Sequence, residues 1–332
     1  MNTRTKESCM NTSTTQGLTL RPFGIYVKTL MSNYGIYVFL IGLLAISGIA
    51  SPIFLQGDNI NNMLVQWSPL GIVVIGQALV MLVGGLDLSV ASVMATAAVI
   101  ATAYGADNEK ILPIVASALL LGVCTGLING LLVTKRNVSP FLATFAMAAV
   151  LLGLRYVYTQ GAPSGDMPPW FKVLSTQSVA GIPYVLMILA ILACLFGVLL
   201  HKSTFGRKVY IVGGNPDSAR LVGIHADRIT ITCYILSSML AAVAGVLLAG
   251  YAGVVDNYIG RGFELDSAVA AVMGGVALSG GRGSIFGALV GAGILVIVFN
   301  IVLLVGLPVQ LQMILKGLVV IVAAAIYVDR KD

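Results

Sequence analysis

Residues 182–251 read IPYVLMILAILACLFGVLL (182–200), HKSTFGRKVYIVGGNPDSARLVGIHADR (201–228) and ITITCYILSSMLAAVAGVLLAGY (229–251). The first and third pieces hold no Lys, Arg, Asp or Glu. Each supplies the roughly 20 apolar residues that a helix needs to cross the ~30 Å hydrocarbon core of a bilayer. The middle piece carries Lys202, Arg207, Lys208, Arg220 and Arg228. Two uncharged spans around one compact basic segment describe a membrane protein that offers a cytoplasmic loop to a partner.

The rest of the chain agrees. Of its 332 residues 58% are hydrophobic and 10% charged, against about 25% charged in average soluble domains. An all-α polytopic membrane protein follows. Ten apolar segments are expected, at 34–54, 63–83, 88–104, 111–133, 141–158, 182–200, 229–251, 265–279, 285–305 and 308–328. An even count returns the chain to the side it started from. With both termini inside, fourteen of the nineteen Lys and Arg fall on the cytoplasmic side and only Lys110, Lys172 and Arg261 in outer loops. That is the positive-inside bias of a membrane protein with both termini in the cytoplasm. It accounts for the net charge of +6 without nucleic acid. Arg155, near the outer end of its segment, is expected to snorkel toward the surface. Segments three and eight are short enough to be half-helices or re-entrant. Residues 1–28 read as a polar cytoplasmic tail, with no apolar core of a cleavable signal, and 29–332 as the membrane domain. Cys124, Cys194 and Cys233 lie in apolar runs and read as small buried hydrophobes; with Cys9 they form no CxxC pair.

Leu86–Met94 (LDLSVASVM) and Leu265–Met273 (LDSAVAAVM) match at six of nine positions, both Asp residues included. Each opens the third segment of its half, so a five-plus-five inverted repeat is one reading. Chance likeness between two Ala/Val-rich helices is the other. Asp87 and Asp266 sit before helical runs, where a carboxylate accepts first-turn amides and meets the positive end of the helix dipole. Capping is favoured over contact with a solute. Gly84 and Gly85 allow a sharp turn ahead of Asp87.

Within 201–228 a short helix is marked at both ends. Asn215 suits the N-cap, Pro216 the first helical position, Asp217 the dipole, and Gly223 the left-handed turn that ends a helix. Gly213 and Gly214 read as a flexible lead-in. A two-turn helix is not stable alone in water, so Leu221, Val222 and Ile224 need a surface, and Arg207 and Arg220 bring fixed charge. That surface is a partner protein or, alternatively, anionic lipid.

Several blocks resemble the membrane-spanning permease subunit of ribose-type ABC importers for sugars. They are Gly85-Leu86-Asp87-Leu88-Ser89-Val90, Ser139-Pro140-Phe141-Leu142-Ala143-Thr144, Phe205-Gly206-Arg207-Lys208 leading into Gly213-Gly214-Asn215-Pro216 and Ala219-Arg220-Leu221-Val222-Gly223-Ile224, and Glu264-Leu265-Asp266 followed by Gly274-Gly275 and Gly280-Gly281-Arg282-Gly283-Ser284. The likeness runs from about Asp58 to Tyr327; Ala91 departs from it, where the family pattern often has Gly. The resemblance implies that the 201–228 helix is a coupling helix seated in a separate ATPase. It also implies a second permease chain, two ATP-binding cassette subunits that hold the ATP and Mg, and a periplasmic or lipid-tethered solute-binding protein. A monosaccharide is the implied cargo, with a nucleoside, a furanone-like signal or a branched-chain amino acid as alternatives.

No GxxxxGK[ST] phosphate loop, HExxH or Cys/His cluster occurs, so no ATPase, metal or catalytic site is expected in this chain. An ion-coupled secondary transporter would need membrane carboxylates, for which Asp87 and Asp266 are the obvious candidates. Polar residues inside spans face a cavity or a neighbouring helix. Asn129, Thr144, Asn300, Gln312 and Lys316, with Asp87, Ser89 and Asp266, are thus candidates for a solute path or for helix contacts. Asn129, between Gly126 and Gly130, favours an interhelical hydrogen bond.

Overall fold

The computed structural model describes residues 23–163, 167–308, 310–311, 313–314 and 317–318, with side chains from Ile36 onward. It is mainly helical. In chain order the elements are α1 (Phe23–Ala50), α2 (Gly57–Leu82), α3 (Val90–Ala103), α4 (Ile111–Lys135), α5 (Pro140–Thr159), α6 (Pro169–Thr176), β1 (Ser178–Val179), β2 (Ile182–Pro183), α7 (Tyr184–Lys202), α8 (Thr204–Gly214), α9 (Pro216–Leu221), α10 (Ala226–Ala252), α11 (Phe263–Met273) and α12 (Ile285–Leu304). The strands form a small antiparallel ribbon pairing Ser178 with Pro183 and Val179 with Ile182.

Among the described residues six helices are long and apolar enough to cross a membrane: α2, α4 with the turn before it, α5, α7, α10 and α12. The segments expected at 88–104, 111–133, 141–158, 182–200, 229–251 and 285–305 become α3, α4, α5, α7, α10 and α12, each end within three residues. The first segment begins eleven residues earlier than expected, at Phe23 just after Pro22, and stops at Ala50 ahead of Pro52. Most of 308–328 lies outside the described residues. The two short segments are short helices. At 1.5 Å per residue the 14 residues of α3 and the 11 of α11 reach about 21 and 16 Å, less than the ~30 Å hydrocarbon core. Segment eight stops as a helix at Met273, not at 279, because Gly275 takes a left-handed turn (φ +86°).

α2 and α10 form the interior. Ile72–Ile75, Ala78 and Leu79 of α2 are fully buried, as are Cys233, Tyr234, Ala241 and Ala242 of α10. Lipid supplies no hydrophobic drive between helices, so close backbone approach must hold them together. α4 achieves this with glycines four apart. A β-carbon on Gly122, Gly126 or Gly130 would lie 2.5–2.8 Å from the backbone of Met239, Ile235 or Ile231 of α10. α12 does the same against α11, with Gly287 and Gly291 facing the carbonyls of Gly274 and Ala270. α4, α5 and α7 turn apolar side chains such as Leu120, Phe145 and Leu195 outward. Two cysteines expected to be buried are on this outer surface: among the described cysteines Cys124 and Cys194 are exposed and Cys233 is buried.

Candidate functional site

The basic segment is a pair of helices, not a loop. Ser203 ends α7 and caps α8, its Oγ accepting the Gly206 amide. α8 buries Gly206, Val209, Val212 and Gly213. α9 has the predicted caps. Asn215 Oδ1 accepts the amides of Asp217 and Ser218 at 3.0 Å each, Pro216 opens the helix, and Gly223 follows it with φ +80°. Ala219 is buried, while Leu221 (89% exposed) and Val222 (72%) form a bare apolar tip. Arg207, Lys208, Gly214, Asn215, Pro216 and Asp217 are on the surface.

Arg220 is less free than expected. Its guanidinium donates to Asp217 Oδ1 at 3.0 Å and to Asp227 Oδ1 at 2.9 Å, and Asp227 Oδ2 also receives Lys135 Nζ at 2.6 Å. The hydrogen bond to Asp227 is the main cause that pushes the Arg220 pKa above its ordinary value. One carboxylate therefore ties α9 and the ends of α4 and α10 together.

The root of this handle corrects the idea of a flexible glycine hinge. Gly213 closes α8, and a β-carbon on it would stand 1.7 Å from the Leu82 carbonyl oxygen and 2.6 Å from the Gly281 nitrogen. The Gly281 amide donates to that same Leu82 oxygen at 2.9 Å. On Gly280 the added atom would stand 2.7 Å from Gly213 O and 2.9 Å from Gly84 N. Three backbones thus meet without side chains: the end of α8, the end of α2, and the non-helical stretch between α11 and α12. Tyr210 adds a bond from α8 to the Gly283 carbonyl at 2.9 Å, and burial raises its pKa.

Asp87, Ser89, Asn129 and Thr144 come together in the interior, at the break between α2 and α3. Asp87 is wholly buried. Its Oδ1 accepts from Ser89 N (2.9 Å) and Ser89 Oγ (2.6 Å), and its Oδ2 accepts from Ser237 Oγ at 3.3 Å. Asn129 Nδ2 donates to Ser89 Oγ at 2.9 Å. Leu88 N donates to Thr144 Oγ1 at 3.1 Å, and that hydroxyl donates to the Pro140 carbonyl at 2.8 Å. The knot joins α3, α4, α5 and α10. Asp87 fastens the turn rather than the helix proper, since Ser89 holds the residue position ahead of α3.

Other candidates lie elsewhere. Asp266 is the fourth residue of α11, inside the helix and buried, not ahead of it as expected. Asn300 exchanges amide hydrogen bonds with Asn59 of α2 at 2.8 and 3.1 Å. Gln312 and Lys316 lie outside the described residues. Among the described residues no three His, Cys, Asp or Glu side chains converge to hold a metal ion.

A groove of about 500 Å³ runs between α3, α5 and residues 257–265. Phe141 and Phe145 line it as a parallel pair, ring centres 6.0 Å apart. Arg155 lines it too and does not snorkel. The side chain turns inward, 5% exposed. Its Nη1 donates to Ser92 O (2.7 Å) and Thr96 Oγ1 (3.0 Å), and its Nη2 to Asn257 O (3.2 Å). Three carbonyl or hydroxyl oxygens inside the protein hold it better than the outer surface would. The sequence signals for the groove are resemblance blocks: Gly85–Val90 holds Leu88, Ser139–Thr144 holds Phe141 one turn before Phe145, and Glu264–Asp266 holds Glu264 and Leu265.

Residues 59–324 match the family model for branched-chain amino acid transport system / permease component. The chain is 34% identical over 325 residues to the ribose import permease protein of Escherichia coli, covering 96% of this chain and 99% of the relative. It is 35% identical over 310 residues to the ribose import permease protein of Bacillus subtilis, covering 92% and 95%. To the L-arabinose ABC transporter permease protein of Azospirillum brasilense it is 32% identical over 297 residues, covering 90% and 88%. No solved structure matches the chain.

Proposed function

The chain belongs to the branched-chain amino acid transport system / permease component family, and from that premise we propose that it is the membrane subunit of an ATP-driven importer for a monosaccharide. It is a multi-pass protein of a bacterial inner membrane. The family heading mentions amino acids, but the relatives that cover nearly the whole chain are named for ribose and L-arabinose import, and a small sugar is the cargo we assign here.

In this reading ten segments cross or enter the membrane, both termini and the 201–228 handle face the cytoplasm, and residues 29–332 work as one permease domain. The five-plus-five repeat is kept as part of the reading. α3 and α11 are both short and both follow a non-helical stretch, although Asp87 precedes its helix and Asp266 lies within its own. Two permease chains, two ATPase subunits carrying ATP and Mg, and a solute-binding protein complete the machine. The chain itself hydrolyses nothing.

The observation that carries this reading is the handle. A capped helix with a bare apolar tip at Leu221 and Val222 suits a groove on another protein better than water. Its root touches Leu82 and Gly281 backbone to backbone. An ATPase that pulls α9 therefore pulls the ends of α2 and of the α11–α12 stretch. Force reaches the interior without passing through compliant side chains, and access switches from outside to inside. Asp87, Ser89, Asn129 and Thr144 keep the α2–α3 break in shape while this happens.

The test is reconstitution. Proteoliposomes holding the permease, its ATPase subunits and binding protein should accumulate a radiolabelled monosaccharide only with ATP inside the ATPase compartment. Accumulation by the permease alone, driven by an ion gradient without nucleotide, would overturn the reading in favour of a secondary transporter.

A further inference from the structure

Residues 169–183, which form α6 and the β1–β2 ribbon, sit where three membrane helices end. The Trp170 amide donates to Oδ1 of Asn108, in the turn before α4, at 3.0 Å. Ser175 Oγ donates to the Leu247 carbonyl, near the end of α10, at 2.7 Å. A β-carbon on Gly250 would lie 2.5 Å from the Phe171 carbonyl oxygen. The amide of Tyr184, the first residue of α7, donates to the Gln177 carbonyl at 3.1 Å. This is the end of α7 away from the 201–228 handle.

These joints fix the depth of the segment. The 19 residues of α7 span about 28 Å, close to the ~30 Å hydrocarbon core. With His201 and Lys202 at one boundary of that core, Tyr184 stands at the other. Ile182, two residues ahead of Tyr184, is no more than about 7 Å away. α4 with its leading turn counts 28 residues and measures about 42 Å. That matches the ~40–45 Å of a bilayer with both headgroup regions. Trp170, bonded to Asn108, is therefore level with the headgroups.

The outward side chains suit that depth. Phe171 and Ser175 are buried against the protein, while Trp170 is 54% exposed, Val179 48% and Ile182 46%. Val179 and Ile182 are cross-strand partners, so both project from one face of the ribbon. Lys172 is exposed and has no carboxylate partner among the described residues. Water favours the cation and hydrocarbon the apolar groups; the boundary between them accommodates both. Indole, with an apolar body and one N–H, collects at that boundary.

We propose that residues 169–183 are an anchor seated in the headgroup layer of the leaflet opposite the handle, with phospholipid as its partner. Trp170, Val179 and Ile182 enter the top of the acyl chains, and Lys172 extends to a phosphate. The anchor holds the ends of α7 and α10 at a fixed height in the bilayer. Neither the cargo nor the ATPase enters this placement.

The experiment uses the full-length chain in liposomes whose phospholipid carries bromine either high on the acyl chain, next to the headgroup, or low, near the bilayer centre. The chain has two tryptophans, Trp67 and Trp170, so Trp67→Phe leaves Trp170 as the sole reporter. It should lose fluorescence to the high bromine and keep more of it with the low one. Its emission maximum should fall between those of tryptophan in water and in hydrocarbon. Trp67 donates to the Leu289 carbonyl; where its loss unfolds the chain, the difference between wild type and Trp170→Phe reads the same signal. In a chain lacking both tryptophans, Ile182→Trp should report the same depth. Water-like emission that neither bromine quenches overturns the anchor. So does a blue shift that appears only when a soluble solute-binding protein is added, which would make the segment a docking surface. Stronger quenching by the low bromine overturns the headgroup placement.

Discussion

The carbonyl oxygen of Leu82, the last residue of α2, fills the space where Gly213 of α8 would carry a side chain. The handle and the interior are therefore in contact at the one distance that only glycine permits. Gly213→Ala puts a methyl group 1.7 Å from that oxygen. It should cost about 1–3 kcal/mol of stability by overpacking. In the assembled importer it should lower sugar uptake per ATP hydrolysed. Gly153→Ala, inside α5 where the added methyl meets nothing within 4 Å, should not lower the melting temperature and should leave uptake unchanged. Equal uptake-to-ATP ratios in the two variants would separate the joint from coupling.

The tip of α9 makes a different prediction. Replacing exposed Leu221 and Val222 together with Ser removes no internal packing, so the permease should melt as before. It should, however, no longer co-purify with its ATPase subunits. Retained co-purification would place the docking surface elsewhere.

Gly223 carries φ +80° in open space. Gly223→Val forces a β-branched residue into the left-handed region, at a local cost of about 1–2 kcal/mol. The expected result is a shortened or unwound α9 end, read as faster amide hydrogen exchange at 219–224, together with ATP hydrolysis that no longer drives uptake. Unchanged exchange and uptake would remove Gly223 from the coupling device.

Asp87→Asn removes a charge-bearing acceptor from the buried knot and leaves an amide N–H where Ser89 or Ser237 donates. Stability should fall by about 1–3 kcal/mol, and the order of preference among the sugars should stay the same. A variant that melts like wild type but prefers a different sugar would make Asp87 a solute contact.

Much of the fold was open to reading because lipid imposes a simple requirement, a run of about 20 apolar residues for each crossing. α7 and α10 satisfy it so fully that their ends were placed within three residues. α9 was legible for a local reason: Asn215, Pro216 and Gly223 each have a single good use at a helix end. α8 was not. Its Gly213 reads as part of a flexible lead-in, and its purpose appears only when Leu82 arrives beside it from the end of α2. The same holds for Arg155, whose partners Ser92 and Asn257 are 63 and 102 residues away. Asp87 and Asp266 sit in nearly identical strings, yet one precedes its helix and the other lies inside. The breaks around them follow the packing of α3 on α10 and of α11 on α12, not the six residues the strings share.

The glycine face between α4 and α10 limits how this molecule can work. With backbones this near and no side chains between them, the two helices can neither slide nor roll on one another, and they travel as a single strut. Asp227 clamps the end of that strut to the handle through Lys135 and Arg220. A pull on the handle is therefore carried into the interior by α4 and α10 as one body.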